Sequence, residues 1–570
     1  MSDSRNMILA VVLSALVLIG WSFAAEKFFP TAAPPSTKVE GGAVKPAAQP
    51  DASPSTQTPP AIRNRAQVLS ESPRVRIETD SLQGSINLKG GRFDDLVLVR
   101  ERQSIDKKSP PVRLLSPAGA AKTYFASFGW SGEGVEAPGP DTVWTASAPV
   151  LTPQRPVTLS WTNGTGQKFE QIISVDDDYL FTVRQRVLNG GTGPVAVRSY
   201  GLVSRAQKSI DPDGWTMHVG PMGYLNGAAN YEVNWSDLDE TGAGGRQFES
   251  RGGWLGFTDK YWLTALAPAQ NSAIAASFRK GPAGYQADYA GQPTIIAPGQ
   301  ALTTDTRFFA GAKEKKLLDA YEDAGIPKLS KSIDWGWFEW FMRPIFDLLN
   351  WLFQQIGNFG VAIICLTLIV RLLMYPIADK QFKSMAAMRK VQPKMKALQE
   401  RYKNDKQKMQ QELLKLYQQE KINPAAGCLP ILLQIPVFYA LYKVLLVSVE
   451  MRHQPFALWI NDLSAPDHLT PINLFGLLDF TPPGFLLIGV LPILLGITMW
   501  LQFKLNPQQL DPTQQQIFAI MPWFMMVVMA PFASGLQLYW VTSNILTILQ
   551  QWWLYKRYGL HFSDTHPVKT

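Results

Sequence analysis

The chain has 570 residues, a net charge of +8 and a hydrophobic fraction of 46%, which together allow more than one domain and exclude a wholly disordered chain. Two cysteines, Cys365 and Cys428, both in apolar segments, exclude a disulfide framework in the polar N-terminal half. The five histidines (His218, His453, His468, His561 and His566) form no ligand pattern with them, so no metal or other cofactor is expected.

In chain order, "MILAVVLSALVLIGWSFAA" (7–25) is close to the ~20 residues that cross a bilayer as a helix. It reads as a transmembrane anchor over 1–28; the small residues Ser22 and Ala24 leave a cleaved signal peptide as the alternative. Residues 29–73 follow, and "PTAAPPSTKVEGGAVKPAAQPDASPSTQTPP" holds almost no large apolar side chain, so it reads as a flexible linker.

Residues 74–330 change to short strands punctuated by turns. In "YLFTVRQRVLNGG" Phe181, Val183 and Val187 share one face, and Asn189-Gly190 turns the chain. "VTLSWTNGTG" and "YWLTALAP" read the same way, and a large all-β domain, sandwich or barrel, is expected. "AKEKKLLDAYEDAG" then reads as a helix with Leu317, Leu318 and Tyr321 on one stripe.

Residues 331–357 repeat Ile345, Leu348, Leu349, Leu352 and Ile356 at helical spacing among Trp335, Trp337, Trp340 and Trp351. Charges interrupt the run, so it suits an amphipathic helix in the membrane interface, with a core helix of the β domain as the alternative. Beyond it, 358–558 holds five candidate spans at 359–378, 429–449, 485–503, 517–532 and 536–555. Between the first two, 379–427 is basic, with Met395, Leu398 and Tyr402 on one stripe and Met409, Leu413 and Leu416 on another. A two-helix hairpin is expected there. Its dozen Lys and Arg assign it to the cytoplasm, whereas 450–484 has only Arg452 and is assigned outside. The count gives six transmembrane helices, both termini and the 559–570 tail cytoplasmic, and the β domain outside.

Arg371 lies inside the apolar run "LTLIVRLLMYP", with no acid inside the other spans to neutralise it. A central arginine costs ~2.5–3.5 kcal/mol on insertion scales, part of which snorkelling recovers. The other reading is a half-wet cavity within the bundle, with Thr367, Gln434, Gln537, Thr542, Ser543 and Asn544 as its polar company.

The motifs "LTLIVRLLMYP", "MAAMRKVQPKMKALQERY", "INPAAGCLPILLQIPVFYALYKVL", "VEMRHQPFALWINDLS" and "ASGLQLYWVTSNILTILQQ" run in order over 359–558. In them the chain resembles the YidC membrane protein insertases of Gram-negative bacteria. The resemblance implies a periplasmic β-super-sandwich and a five-helix core enclosing a hydrophilic groove. Arg371, Thr367, Gln434, Tyr539, Trp540 and Asn544 would line the groove, and Ile435 and Pro436 would lie on the substrate slide. It also implies inner-membrane location and no enzymatic activity. Implied partners are nascent membrane proteins, the Sec translocon, the ribosome or targeting factors at the hairpin and tail, and membrane lipids. Two departures stand out: "PINLFGLLDFTPPGF" lengthens the outer loop, and Trp540 stands where a second tyrosine is expected. An anion transporter or channel built on Arg371 is the competing reading, although no repeated halves are evident. A carbohydrate enzyme in the β domain is a third, supplied with only His218.

Overall fold

The computed structural model of the chain describes residues 62–106, 108–211, 216–402, 405–420, 429–475, 477–478, 487–505 and 512–557. The 7–25 segment, the linker up to residue 61, the hairpin end at 421–427 and the tail from 558 lie outside them.

Alternating apolar side chains in the N-terminal half pair into two stacked sheets. The eleven-stranded sheet centres on Arg92–Arg102, Tyr124–Glu133, Val195–Arg205 and Gly284–Gly291. The nine-stranded sheet centres on Gln167–Val175, Leu180–Asn189, Ala301–Ala312 and Trp262–Pro268. Arg74–Glu78 and Val150–Leu151 pair in parallel, while the central strands run antiparallel. The inner faces interlock through aromatic rings: Phe93 and Phe128 of one sheet meet Phe181 and Phe308 of the other at 5.3–5.9 Å, edge-on. Phe181, Val183 and Val187 are fully buried on the shared face expected for them. Buried Asn189 anchors the turn, donating to the carbonyls of Gly193 and Ile296 at 2.9 Å. From there the chain crosses to the other sheet at Val195 instead of returning along its own strand.

Helices α1 (Arg65–Ser70) and α2 (Trp235–Thr241) belong to the β domain, and α3 (Lys315–Asp323) closes it with Leu318 and Tyr321 buried. Helix α4 (Glu339–Ile356) is amphipathic, but its buried stripe is Met342, Phe346, Leu349 and Leu352. Of the expected stripe only Leu349 and Leu352 are buried, and Ile356 is exposed; the stripe is rotated toward Met342 and Phe346. Trp337 (75% exposed) and Trp340 (72%) face outward, while Trp335 is buried against Phe346.

The bundle comprises α5 (Phe359–Leu373), α6 (Tyr375–Arg401), α7 (Lys406–Gln419), α8 (Leu429–Val447), α9 (Val490–Leu505), α10 (Pro512–Met529) and α11 (Ser534–Arg557). Helices α6 and α7 make the expected hairpin, closed by Val391, Met395 and Leu416 with Leu398, Leu413 and Tyr417 packed on them. Several boundaries differ from expectation; the 485–503 segment, for one, becomes helical only at Val490. The 359–378 run breaks after Leu373, because Pro376 lacks the donor that would continue α5 and starts α6 instead. The 517–532 segment begins earlier, at Pro512, and stays helical through Pro522. Among the described residues no helix is long and apolar enough to cross a membrane by itself. The helices are short or carry polar residues: α5 has 15 residues and α9 has 16, while α11 carries Gln537, Ser543, Asn544, Thr547, Gln550 and Gln551.

Candidate functional site

Helix α5 is fixed at its start. The Asn358 side chain accepts from Val361 N at 3.1 Å and donates to the Phe456 carbonyl at 2.8 Å. Gly360 lies against the Phe456 ring so closely that a Cβ there would sit 2.0 Å from it. Helix α11 is tied at the same end: Ser534 N donates to Ala465 O at 2.7 Å and Gly535 N to Leu463 O at 2.9 Å. Between these anchored helices Arg371, on the last turn of α5, donates through Nη2 to Ser543 Oγ. Among the described residues no carboxylate pairs with it.

A cavity of about 470 Å³ opens beside the guanidinium. Its polar lining is Arg371 from α5, Gln434 from α8, Gln502 from α9, and Tyr539, Ser543, Asn544, Thr547, Gln550 and Gln551 from α11. Its apolar lining includes Ile435 and Phe438 from α8, Met499 and Phe503 from α9, and Phe518, Met521 and Met525 from α10. Polar residues are spaced so as to recur on one side of α11, at 543, 547, 550 and 551. Among the described residues no acidic side chain lines the cavity. The polar lining is internally bonded. Gln434 Nε2 donates to the Tyr539 hydroxyl, Asn544 Nδ2 to Thr498 Oγ1 at 3.1 Å, and Thr547 Oγ1 to the Ser543 carbonyl at 2.7 Å. Trp540 stands edge-on to Phe438 with centroids 4.7 Å apart.

Five of the expected residues therefore meet around Arg371: Gln434, Ile435, Tyr539, Trp540 and Asn544. Thr367 does not line the cavity. It is buried, and its hydroxyl donates to the carbonyl of Ile363 one turn back, at 2.6 Å. Pro436 is not a lining residue either, whereas its neighbour Ile435 is 56% exposed. Gln537 serves the fold: its Nε2 donates to the carbonyls of Met529 and Phe532, at 2.8 and 2.9 Å, which end α10 and form the corner into α11. The sequence reading missed Gln502, Gln550, Gln551 and the methionines. The recurrence of polar residues at helical spacing along α11 was the signal for Gln550 and Gln551. It also missed Lys443, a cation inside an apolar helix and only 1% exposed.

The bundle is turned inside out relative to the β domain. Ile497 and Trp500 on α9, Ile520 and Phe524 on α10, and Leu549 and Trp552 on α11 are exposed, while Thr367, Lys443, Ser543 and Asn544 are buried. Apolar side chains outward and polar ones inward, around one arginine, define a membrane protein whose helical bundle carries a large β domain. The comparisons agree with that class. A family model described as "60Kd inner membrane protein" matches residues 351–560, and one described as "YidC periplasmic domain" matches 74–348. The chain belongs to the YidC family of membrane protein insertases. A relative from Zymomonas mobilis, named membrane protein insertase YidC, is 49% identical over 560 residues, covering 98% of this chain and 96% of the relative. One of the same name from Methylobacterium sp. is 43% identical over 600 residues, covering 98% and 96%. Among solved structures, an active YidC insertase with its first transmembrane domain resolved aligns over 86% of this chain and 93% of its own, at 19% identity and a TM-score of 0.38.

Proposed function

We propose that this chain inserts newly made proteins into the bacterial inner membrane, and that the cavity around Arg371 receives their polar segments. The observation that carries this reading is a guanidinium beside a cavity lined by amides and hydroxyls as well as by methionines and aromatic rings, with no carboxylate among its described lining residues. A fixed cation that bonds a hydroxyl, with no carboxylate paired to it among the described residues, attracts acidic or polar chain and holds water. The apolar lining gives a hydrophobic helix a surface to follow while its burial in lipid supplies the driving force.

In this reading the β domain and the 450–484 loop lie outside, the hairpin and both termini lie in the cytoplasm, and the chain spans the membrane six times. Helices of 15 and 16 residues rise only ~23 Å against a hydrocarbon core of ~30 Å, so the bilayer thins around them and the crossing shortens. The membrane potential adds ~2.3 kcal/mol per 100 mV for each negative charge moved outward. No step requires nucleotide or covalent chemistry. The basic hairpin and tail would meet the ribosome or targeting factors, the exposed apolar faces would meet lipid, and the Sec translocon would be a partner for larger substrates.

The test is insertion into liposomes holding only the purified full-length chain. A short single-span substrate should become protected from added protease without nucleotide, and empty liposomes should not protect it. Equal protection in both would overturn the reading.

A further inference from the structure

Lys443 is a second cation of the bundle, and the cavity does not use it. It sits on α8 and is buried. Its Nζ donates to the carbonyl of Thr216 in the β domain and lies 3.5 Å from Asp334 Oδ2, in the segment that joins the β domain to α4. Asp334 is fully engaged: Oδ2 also accepts from His218 N at 3.0 Å, and Oδ1 accepts from Gly336 N at 2.9 Å. A buried lysine within a membrane helix is expensive and is kept where it has a task.

Its place on the helix indicates that task. Nine residues at ~100° each put Lys443 on the opposite side of α8 from Gln434, ~14 Å farther along the axis. The cavity therefore touches one side of the helix while the β domain grips the other. Pro436 lies between the two positions and, lacking an N–H, leaves a backbone bond unmade and a point of bending. Without a grip beyond that point, the segment carrying Phe438 is free to swing.

We propose that Lys443 is a positioning residue. Through Asp334 and the Thr216 carbonyl it ties the part of α8 beyond Pro436 to the β domain, so the β domain sets the placement of the cavity lining at Phe438. The functional part of this inference rests on the cavity being the place of insertion; the mechanical part does not.

The experiment uses the full chain in liposomes, with Cys365 and Cys428 replaced by serine. Spin labels at Phe438→Cys and at exposed Val143→Cys report the distance from the held segment of α8 to the β domain, and insertion is measured on unlabelled protein. Lys443→Met should broaden the distance distribution and slow insertion about tenfold, and Lys443→Arg should restore most of both. The double variant Lys443→Met/Asp334→Asn removes the uncompensated buried charge and should regain thermal stability, yet keep the broad distance and the slow insertion. A narrow distance in Lys443→Met, or a double variant that recovers distance and insertion together with stability, would overturn the proposal. If unsubstituted protein inserts nothing, the insertase reading fails by itself, and the distances still decide the tie.

Discussion

Replacing Arg371 with alanine should trade activity for stability. The residue lies twelve positions into α5 from Phe359, ~18 Å along its axis and beside the cavity, where an arginine costs at most the ~2.5–3.5 kcal/mol of a helix centre in the bilayer. One hydrogen bond to Ser543 returns ~0.6–1.7 kcal/mol of that. The net is a bundle more stable by at most ~1–3 kcal/mol without the guanidinium, read as greater resistance to detergent-induced unfolding. A charged donor bonded to a polar segment in transit is worth ~1.5–3 kcal/mol, so its loss should slow insertion by ~10- to 100-fold. The assay is the time course of protease protection in liposomes for two substrates that differ only in a polar or an apolar leading segment. The polar one should suffer most, and Arg371→Lys should fall between, because it keeps the charge but loses the fork of donors. A less stable Arg371→Ala variant that inserts both substrates at the original rate would refute the reasoning.

Gly360→Ala forces a methyl group into the Phe456 ring and should destabilise the bundle by ~1–3 kcal/mol in a detergent unfolding titration, with partial recovery when Phe456→Ala makes room. Gln537→Leu leaves the carbonyls of Met529 and Phe532 without their donor and should cost ~1–3 kcal/mol, read as a lower Tm. In the β domain, burial pushes the Lys313 ammonium down to about 8, although its Nζ donates to Thr258 and Ser332 and aspartates lie nearby. A base lowered in the folded state releases its proton there first, so stability should rise as pH passes from about 8 toward the ordinary lysine value. Wild type should therefore gain stability relative to Lys313→Met between pH 7 and 10, by at most ~3 kcal/mol and read as a rising Tm difference, and a constant difference would contradict the assignment.

Period-two alternation made the β strands legible, and Phe181, Val183 and Val187 are buried as their spacing requires. What alternation does not encode is the destination of a strand after its turn, and the step from Asn189 to the opposite sheet had no local signal. In the bundle, Arg371 was legible because a fixed charge interrupts an apolar run. Thr367 misled because its spacing from Arg371 says which side of the helix it occupies but not where its hydroxyl points; the Ile363 carbonyl one turn back took it. Lys443 interrupts an apolar run in the same way; what stayed hidden was its pairing, because Thr216 and Asp334 are more than a hundred residues away in the chain. The burial of Trp335 beside exposed Trp337 and Trp340 was likewise set by tertiary packing, since tryptophan count alone does not say which ring turns inward.

The junction at Met374 has a mechanical consequence. Helix α6 starts one residue after that break and runs 27 residues, an arm ~40 Å long pivoting within a turn of Arg371. A load applied at the outer tip of the hairpin must bend this arm or twist its root, so whatever docks on the tip has leverage over the space beside the guanidinium.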